Sequence, residues 1–395
     1  MLLGPAFVAA IAYVDPGNVA ANLSGGAQFG YLLVWVLVVA NVMAALVQYQ
    51  SAKLGLVTGQ TLPQLLGNRL RPGSRWAFWA QAEVVAIATD LAEVVGGAIA
   101  LNLLFGIPLF WGGVIVGIVS MVLLAAQSRF GQRPFESVIV GLLAVISIGF
   151  LAGLVVNPPD AAGALGGLVP RFEGSGSVLL AASMLGATVM PHAIYVHSAL
   201  SRDRHGHATE PAQRKRLLRI TRWDVLIALT IAGIVNIGML LLAAANLRGV
   251  SGTETIEGAH AAIEHALGPV VALVFAIGLL ASGLASTSVG SYAGATIMDG
   301  LLKKRVPIFV RRIVTLIPAL VVLGLGIDPT WALVISQVVL SFGIPFALVP
   351  LVRLTNDRGI MGDAVNTRRM RWALALVVVL VVALNLALIV LTIAG

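Results

Sequence analysis

The sequence predicts an all-α membrane protein of eleven transmembrane helices: two inverted five-helix repeats and one extra helix, with helices 1 and 6 unwound at mid-membrane. Three observations carry this prediction. Only 11% of the 395 residues are charged and 58% are hydrophobic, with mean hydropathy +0.97, whereas soluble domains carry about 25% charged residues. Eleven apolar runs have the length of a bilayer crossing. Two of those runs, five spans apart, carry a proline near their midpoint, beside Asp15 in one and Met190 in the other.

The runs lie near 2–22, 31–57, 76–105, 111–127, 137–157, 178–200, 223–246, 269–296, 308–327, 331–353 and 372–394. Each approaches or exceeds the roughly 20 residues that cross a bilayer as a helix. Their continuity, without period-two alternation, excludes barrel strands. Residues 1–157 then form the first repeat (helices 1–5), 178–353 the second (helices 6–10), and 372–394 helix 11. The first run is not a cleaved signal, because a carboxylate sits at its centre and no basic segment precedes it. The chain enters this run almost at once, and a cytosolic leader trimmed from its start is expected. There are no cysteines, which excludes disulfides, thiolate metal sites and iron–sulfur chemistry.

The net charge of +8 does not point to nucleic acid, because of where the cations lie. Among the 25 Lys and Arg, only Arg171 and Arg248 fall in odd-numbered loops. The others cluster in or beside the even-numbered loops, as in "RDRHGHATEPAQRKRLLRITR" (202–222) and "KKRVPIFVRR" (303–312). By the positive-inside rule this places the N-terminus in the cytoplasm and the C-terminus outside, in a multi-pass plasma-membrane protein. The basic loops are topology signals and partners of anionic lipid headgroups. His205 and His207 mimic a metal-binding HxH but belong to a solvated loop.

Helix 1 contains "AYVDPGN" and helix 6 "GATVMPHAIYVH". A proline has no N–H for the carbonyl four residues back, so Pro16 frees the Ala12 carbonyl and Pro191 that of Ala187. Bare carbonyls in hydrocarbon cost several kcal/mol each, and water or an ion is expected to take them. Ordinary kinks are the competing reading. Two breaks in matching places, each flanked by a coordinating side chain, favour a transporter's central site instead. Asp15 and Asn18 offer hard oxygens, Met190 a soft thioether, and Gln337 of helix 10 a further amide oxygen. A mixed oxygen–sulfur set with one negative charge suits Mn²⁺, Fe²⁺, Co²⁺ or Cd²⁺ over Mg²⁺ and Ca²⁺.

Helix 3 reads "WAQAEVVAIATDLAEVVGGAIALNLL", which places Glu83, Asp90 and Glu93 on one face. Carboxylates inside a span seldom face lipid. Their expected counterparts are His192 and His197 of helix 6 and Arg311-Arg312 at the start of helix 9. Such a chain suits a proton relay, and a static ion-pair network is the alternative.

The paired "DPGN" (15–18) and "MPH" (190–192) motifs resemble the Nramp family of proton-coupled divalent metal transporters, in particular its bacterial manganese transporters. "GLASTSVGSYAGATIMDGLL" (283–302) is similar to that family's transport signature, with Leu284-Ala285 where some members have polar residues. "TDLAEVVG" in helix 3 and "SQVVLSFGIPFALVPL" in helix 10 fit as well, so the resemblance spans the whole chain. It implies a LeuT-like fold in which Asp15, Asn18 and Met190 hold the metal. The carbonyls of Ala12 and Ala187 would join in different states, and Gln337 in one. It also implies a proton route through His192, Asp90, Glu93, Arg311 and Arg312. The expected activity is symport of a divalent metal, Mn²⁺ foremost, with H⁺ by a monomer that needs no cofactor. An amino-acid or organic-cation transporter on the same architecture is the rival, followed by a passive channel. No HExxH or other hydrolytic constellation marks an enzyme.

Overall fold

The helices begin and end where caps and glycines dictate. A computed structural model describes residues 4–130, 132–304 and 306–394, so residues 2 and 3 of the first predicted span and Arg305 of the basic loop lie outside it. The first half of the chain contains α1 (Pro5–Ile11), α2 (Pro16–Phe29), α3 (Val34–Thr58), α4 (Leu62–Arg69), α5 (Pro72–Phe105), α6 (Leu109–Phe130), α7 (Gln132–Val156) and α8 (Ala161–Gly166). The second half contains α9 (Gly174–Thr188), α10 (Pro191–His205), α11 (Pro211–Asn246), α12 (Ile256–Leu267), α13 (Pro269–Leu302), α14 (Ile308–Gly324), α15 (Pro329–Asn356), α16 (Arg358–Met361) and α17 (Arg368–Ala394). No strand occurs among the described residues.

Each of the eleven predicted runs falls on a helix or a pair of helices. Among the described residues, seven helical stretches are long and apolar enough to cross a membrane by themselves. Two of the remaining runs are shortened for visible reasons. Helix 1 is interrupted at Asp15, and α14 has 17 residues and carries Pro318 internally. The short α4 and the amphipathic α12 lie between apolar runs. Thr61 starts α4 with a reciprocal cap: Gln64 N–H donates to Thr61 Oγ1 at 3.2 Å, and Thr61 N–H donates to Gln64 Oε1 at 3.0 Å. Gly59 closes α3 in the left-handed region (φ 66°), where a side chain is disfavoured.

Packing gathers the site at the centre. α5 runs along α13, α2 along α11, and α9 along α15, while α3 lies against both α10 and α11. Asp224 of α11 holds the start of α1, accepting from Gly4 N at 3.2 Å and Ala6 N at 3.0 Å. The contact of α9 with α15 depends on Gly186. A Cβ there would lie 1.9 Å from the Gln337 carbonyl oxygen and 2.8 Å from Ser341 N, both backbone atoms that cannot swing away. Gly186→Ala is therefore expected to destabilise the protein by about 1–3 kcal/mol, the usual cost of overpacking. Thermal unfolding in detergent checks this, and an unchanged midpoint would refute the close approach.

Candidate metal site

The helical backbone stops at Val14 and resumes at Pro16, with Asp15 extended between them (φ −72°, ψ 168°). Pro16 thus stands at the first position of α2, where its missing N–H is no loss. Asp15 caps the new helix: its Oδ1 accepts from Asn18 N at 2.7 Å and from Asn18 Nδ2 at 2.8 Å. Backbone carbonyls around the break take polar side-chain partners. Asn236 Nδ2 donates to Tyr13 O at 2.6 Å, and Ser282 Oγ donates to Val14 O at 2.5 Å. Asn18 Nδ2 lies 3.5 Å from Ala12 O. Asn22 in turn donates to Asn236 Oδ1 at 2.7 Å and fixes its amide. These polar partners come from α2, α11 and α13, and none was singled out in the sequence except Asn18.

The second break has the same form. α9 ends at Thr188, Val189 and Met190 leave helical geometry (Met190 φ −58°, ψ 124°), and Pro191 opens α10. Asn18 joins the two breaks, because its Nδ2 also donates to Ala187 O at 3.0 Å. Gln337 of α15 completes the cluster. Its Nε2 lies 1.8 Å from where a Cβ on Gly17 would sit, so the glycine lets the amide lie against the first break in this rotamer. Asp15, Asn18, Met190 and Gln337 are each at most 1% exposed, so solvent reaches none of them.

Three acceptor oxygens in this cluster have no hydrogen-bond partner: Asp15 Oδ2, Asn18 Oδ1 and Gln337 Oε1. Thr188 Oγ1, in the turn before Met190, is also without one. Buried polar atoms are nearly always paired, and an unpaired acceptor costs about 1–3 kcal/mol. A set of orphan oxygens around one carboxylate is what a dehydrating cation would satisfy. No group of three or more His, Cys, Asp or Glu gathers as a metal cage among the described residues. Any cation here would therefore meet one charged oxygen and several neutral donors.

The acidic face of α5 meets α14 in two steps. Glu83 accepts from Arg311 Nη2 at 3.1 and 3.2 Å, and Asp90 pairs with Arg312 Nη1 at 2.8 Å in a nearly dry environment. Arg312 Nε donates to Ser120 Oγ at 3.0 Å. Glu93, one turn deeper, has no hydrogen-bond partner on either oxygen and lies against α13, 2.9 Å from where a Cβ on Gly290 would sit. The histidines diverge. His192 Nδ1 lies 3.2 Å from Thr89 Oγ1, next to Asp90, and so joins the acidic face. His197 Nδ1 instead lies 2.8 Å from Gln48 Oε1 on α3, and Gln48 Nε2 donates to Tyr13 Oη. The expected chain of carboxylates and histidines thus splits: His192 stays with α5, and His197 belongs to a separate Gln48–Tyr13 line beside the first break.

Comparison with known proteins adds a second line. Residues 6–391 match the family described as Natural resistance-associated macrophage protein-like (Nramp). The chain is 62% identical over 394 residues to the divalent metal cation transporter MntH of Mycobacterium tuberculosis (strain CDC 1551 / Oshkosh), covering 100% of this chain and 92% of that one. Its fold superposes on the crystal structure of the Eremococcus coleocola manganese transporter with a TM-score of 0.87 at 32% identity, covering 97% of this chain and 85% of that one. MHP1, a nucleobase-cation-symport-1 family transporter, shares the fold alone, with a TM-score of 0.61 at 16% identity over 99% of this chain and 92% of that one. With both broken helices in place and a match running almost from end to end, the chain belongs to the Nramp family.

Proposed function

We propose that this multi-pass membrane protein imports divalent transition-metal ions, Mn²⁺ foremost and also Fe²⁺, Co²⁺ and Cd²⁺, together with H⁺ by alternating access. The observation that carries the reading is the cluster of unpaired oxygens on Asp15, Asn18 and Gln337 at the junction of the two breaks. The relative from M. tuberculosis is named a divalent metal cation transporter, and the superposing structure from E. coleocola a manganese transporter. In this reading helices 1–5 and 6–10 are inverted repeats, helix 11 is the extra element, and the breaks at Asp15 and Met190 are the unwound midpoints of helices 1 and 6. Arg and Lys placement sets the N-terminus in the cytoplasm and the C-terminus outside. One chain supplies every ligand, so it works as a monomer, and it is a transporter rather than an enzyme.

A metal ion entering the site exchanges part of its water for Asp15 Oδ2, Asn18 Oδ1 and the Met190 thioether. The Ala187 or Ala12 carbonyl and Gln337 join in particular states. Protons leave along the α5 face, from His192 and Glu93 through Asp90 and its partner Arg312 toward the Arg311–Glu83 pair at the cytoplasmic end. Occupancy drives the transporter only through its different affinity for the outward and inward forms.

Selectivity tests the reading most directly. Sulfur discriminates against hard ions, so Met190→Ala should still transport Mn²⁺ in proteoliposomes but become inhibited by Mg²⁺ or Ca²⁺. Unchanged competition by the hard ions would remove the thioether from the site.

A further inference from the structure

At the basic end of the bundle, α3, α11 and the segment leading into α17 enclose a cavity of about 450 Å³. Its polar wall holds Gln50, Lys53, Arg222 and Asn366. Lys53 is only 7% exposed, and its ammonium donates to the neutral Asn366 Oδ1 at 2.7 Å. Gln50 is fully buried, and neither its Nε2 nor its Oε1 has a hydrogen-bond partner. Arg222 is exposed at the rim. Among the described residues that line the cavity there is no carboxylate. Along the same face of α3 and on α11 the lining turns apolar, with Val42, Leu46 and Leu226. Val42 is 57% exposed and Leu226 37%, so this wall continues onto the outer, lipid-facing surface of α3 and α11.

These features ask for one kind of occupant. A buried ammonium without a counter-charge is costly, and a second cation beside it adds repulsion. Asn366 satisfies one of the three ammonium donors, and Gln50 has a buried N–H pair to give. An anion with several acceptor oxygens answers all three groups. A free anion would leave the apolar wall bare, whereas a metal cation is repelled by Lys53 and Arg222. We propose that the cavity binds an anionic phospholipid, with its phosphate between Lys53, Arg222 and Gln50 and an acyl chain along Val42, Leu46 and Leu226. The lipid would bridge α3, α11 and the entry to α17. This site is separate from the metal site and stands whatever ion the protein carries.

Native mass spectrometry of the full-length chain in detergent tests the proposal, with dioleoylphosphatidylglycerol titrated against dioleoylphosphatidylcholine. One phosphatidylglycerol per chain should bind at least about tenfold more tightly than phosphatidylcholine. Lys53→Gln and Arg222→Gln should each weaken it about fivefold and the pair about 25-fold, in line with one basic residue's attraction to an anionic headgroup. Lys53→Arg should restore binding. Arg222 lies on the surface, so its substitution reads the site even if Lys53→Gln fails to fold. Equal binding of the two lipids, or phosphatidylglycerol retained unchanged by Arg222→Gln and the pair, would overturn the proposal. Displacement by millimolar inorganic phosphate would overturn it in favour of a free-anion site.

Discussion

Replacing Asp15 with asparagine is expected to lower Mn²⁺ uptake by at least about 100-fold while the protein stays folded. Losing a group that only supports a metal ligand costs about 10–100-fold. Losing the one charged ligand should therefore cost no less. The fold should survive because asparagine caps a helix as well as aspartate does, so the contact with Asn18 N at 2.7 Å has a ready substitute. Two measurements separate the effects: uptake of Mn²⁺ into proteoliposomes, and thermal unfolding of the same preparation. Uptake close to that of the unmodified protein would remove Asp15 from the transport path.

The second large effect concerns stability. Arg312→Met should destabilise the protein by about 3–5 kcal/mol, because it strands the Asp90 carboxylate in a dry interior. The pair is 2.8 Å long, with side-chain exposures of 0% and 5%. Changing both partners, as Asp90→Asn with Arg312→Met, should recover most of that loss, since a buried pair is often nearly neutral against uncharged residues. Melting in detergent of the two single variants and the double variant completes the cycle. Additive losses would mean that the two charges do not depend on each other.

Much of this site could be read from the chain because proline and buried charge leave unambiguous traces. Pro16 and Pro191 cannot continue a helix, so the breaks were visible before any fold was known. The carboxylates of α5 could be placed on one face because helical spacing fixes direction. Spacing does not say which helix stands opposite. For that reason spacing alone offers both His192 and His197, five residues apart on α10, as counterparts of the acidic face, and a structural role for His197 is equally compatible with it; in the fold His197 lies beside Gln48 of α3. The partners of the freed carbonyls, Asn236 and Ser282, are single polar residues in apolar runs, and only the tertiary fold gives them a purpose. The α4 helix lies outside the apolar runs, and its one sequence signal is Thr61-Leu62-Pro63-Gln64, with the spacing of a reciprocal cap.

Asn18 carries one further consequence. Its amide nitrogen, not its oxygen, faces Asp15 Oδ1 and Ala187 O. If the chain carries a metal as proposed, hydrogens on that nitrogen would repel the cation, and bringing the unpaired Asn18 Oδ1 round to the Asp15 side would mean turning the amide by half a turn or pushing it aside. Either movement severs the tether between the two interrupted spans. On that proposal, capture of the ion and loosening of the two segments would be one event, with the side chain as a latch that positive charge unlocks.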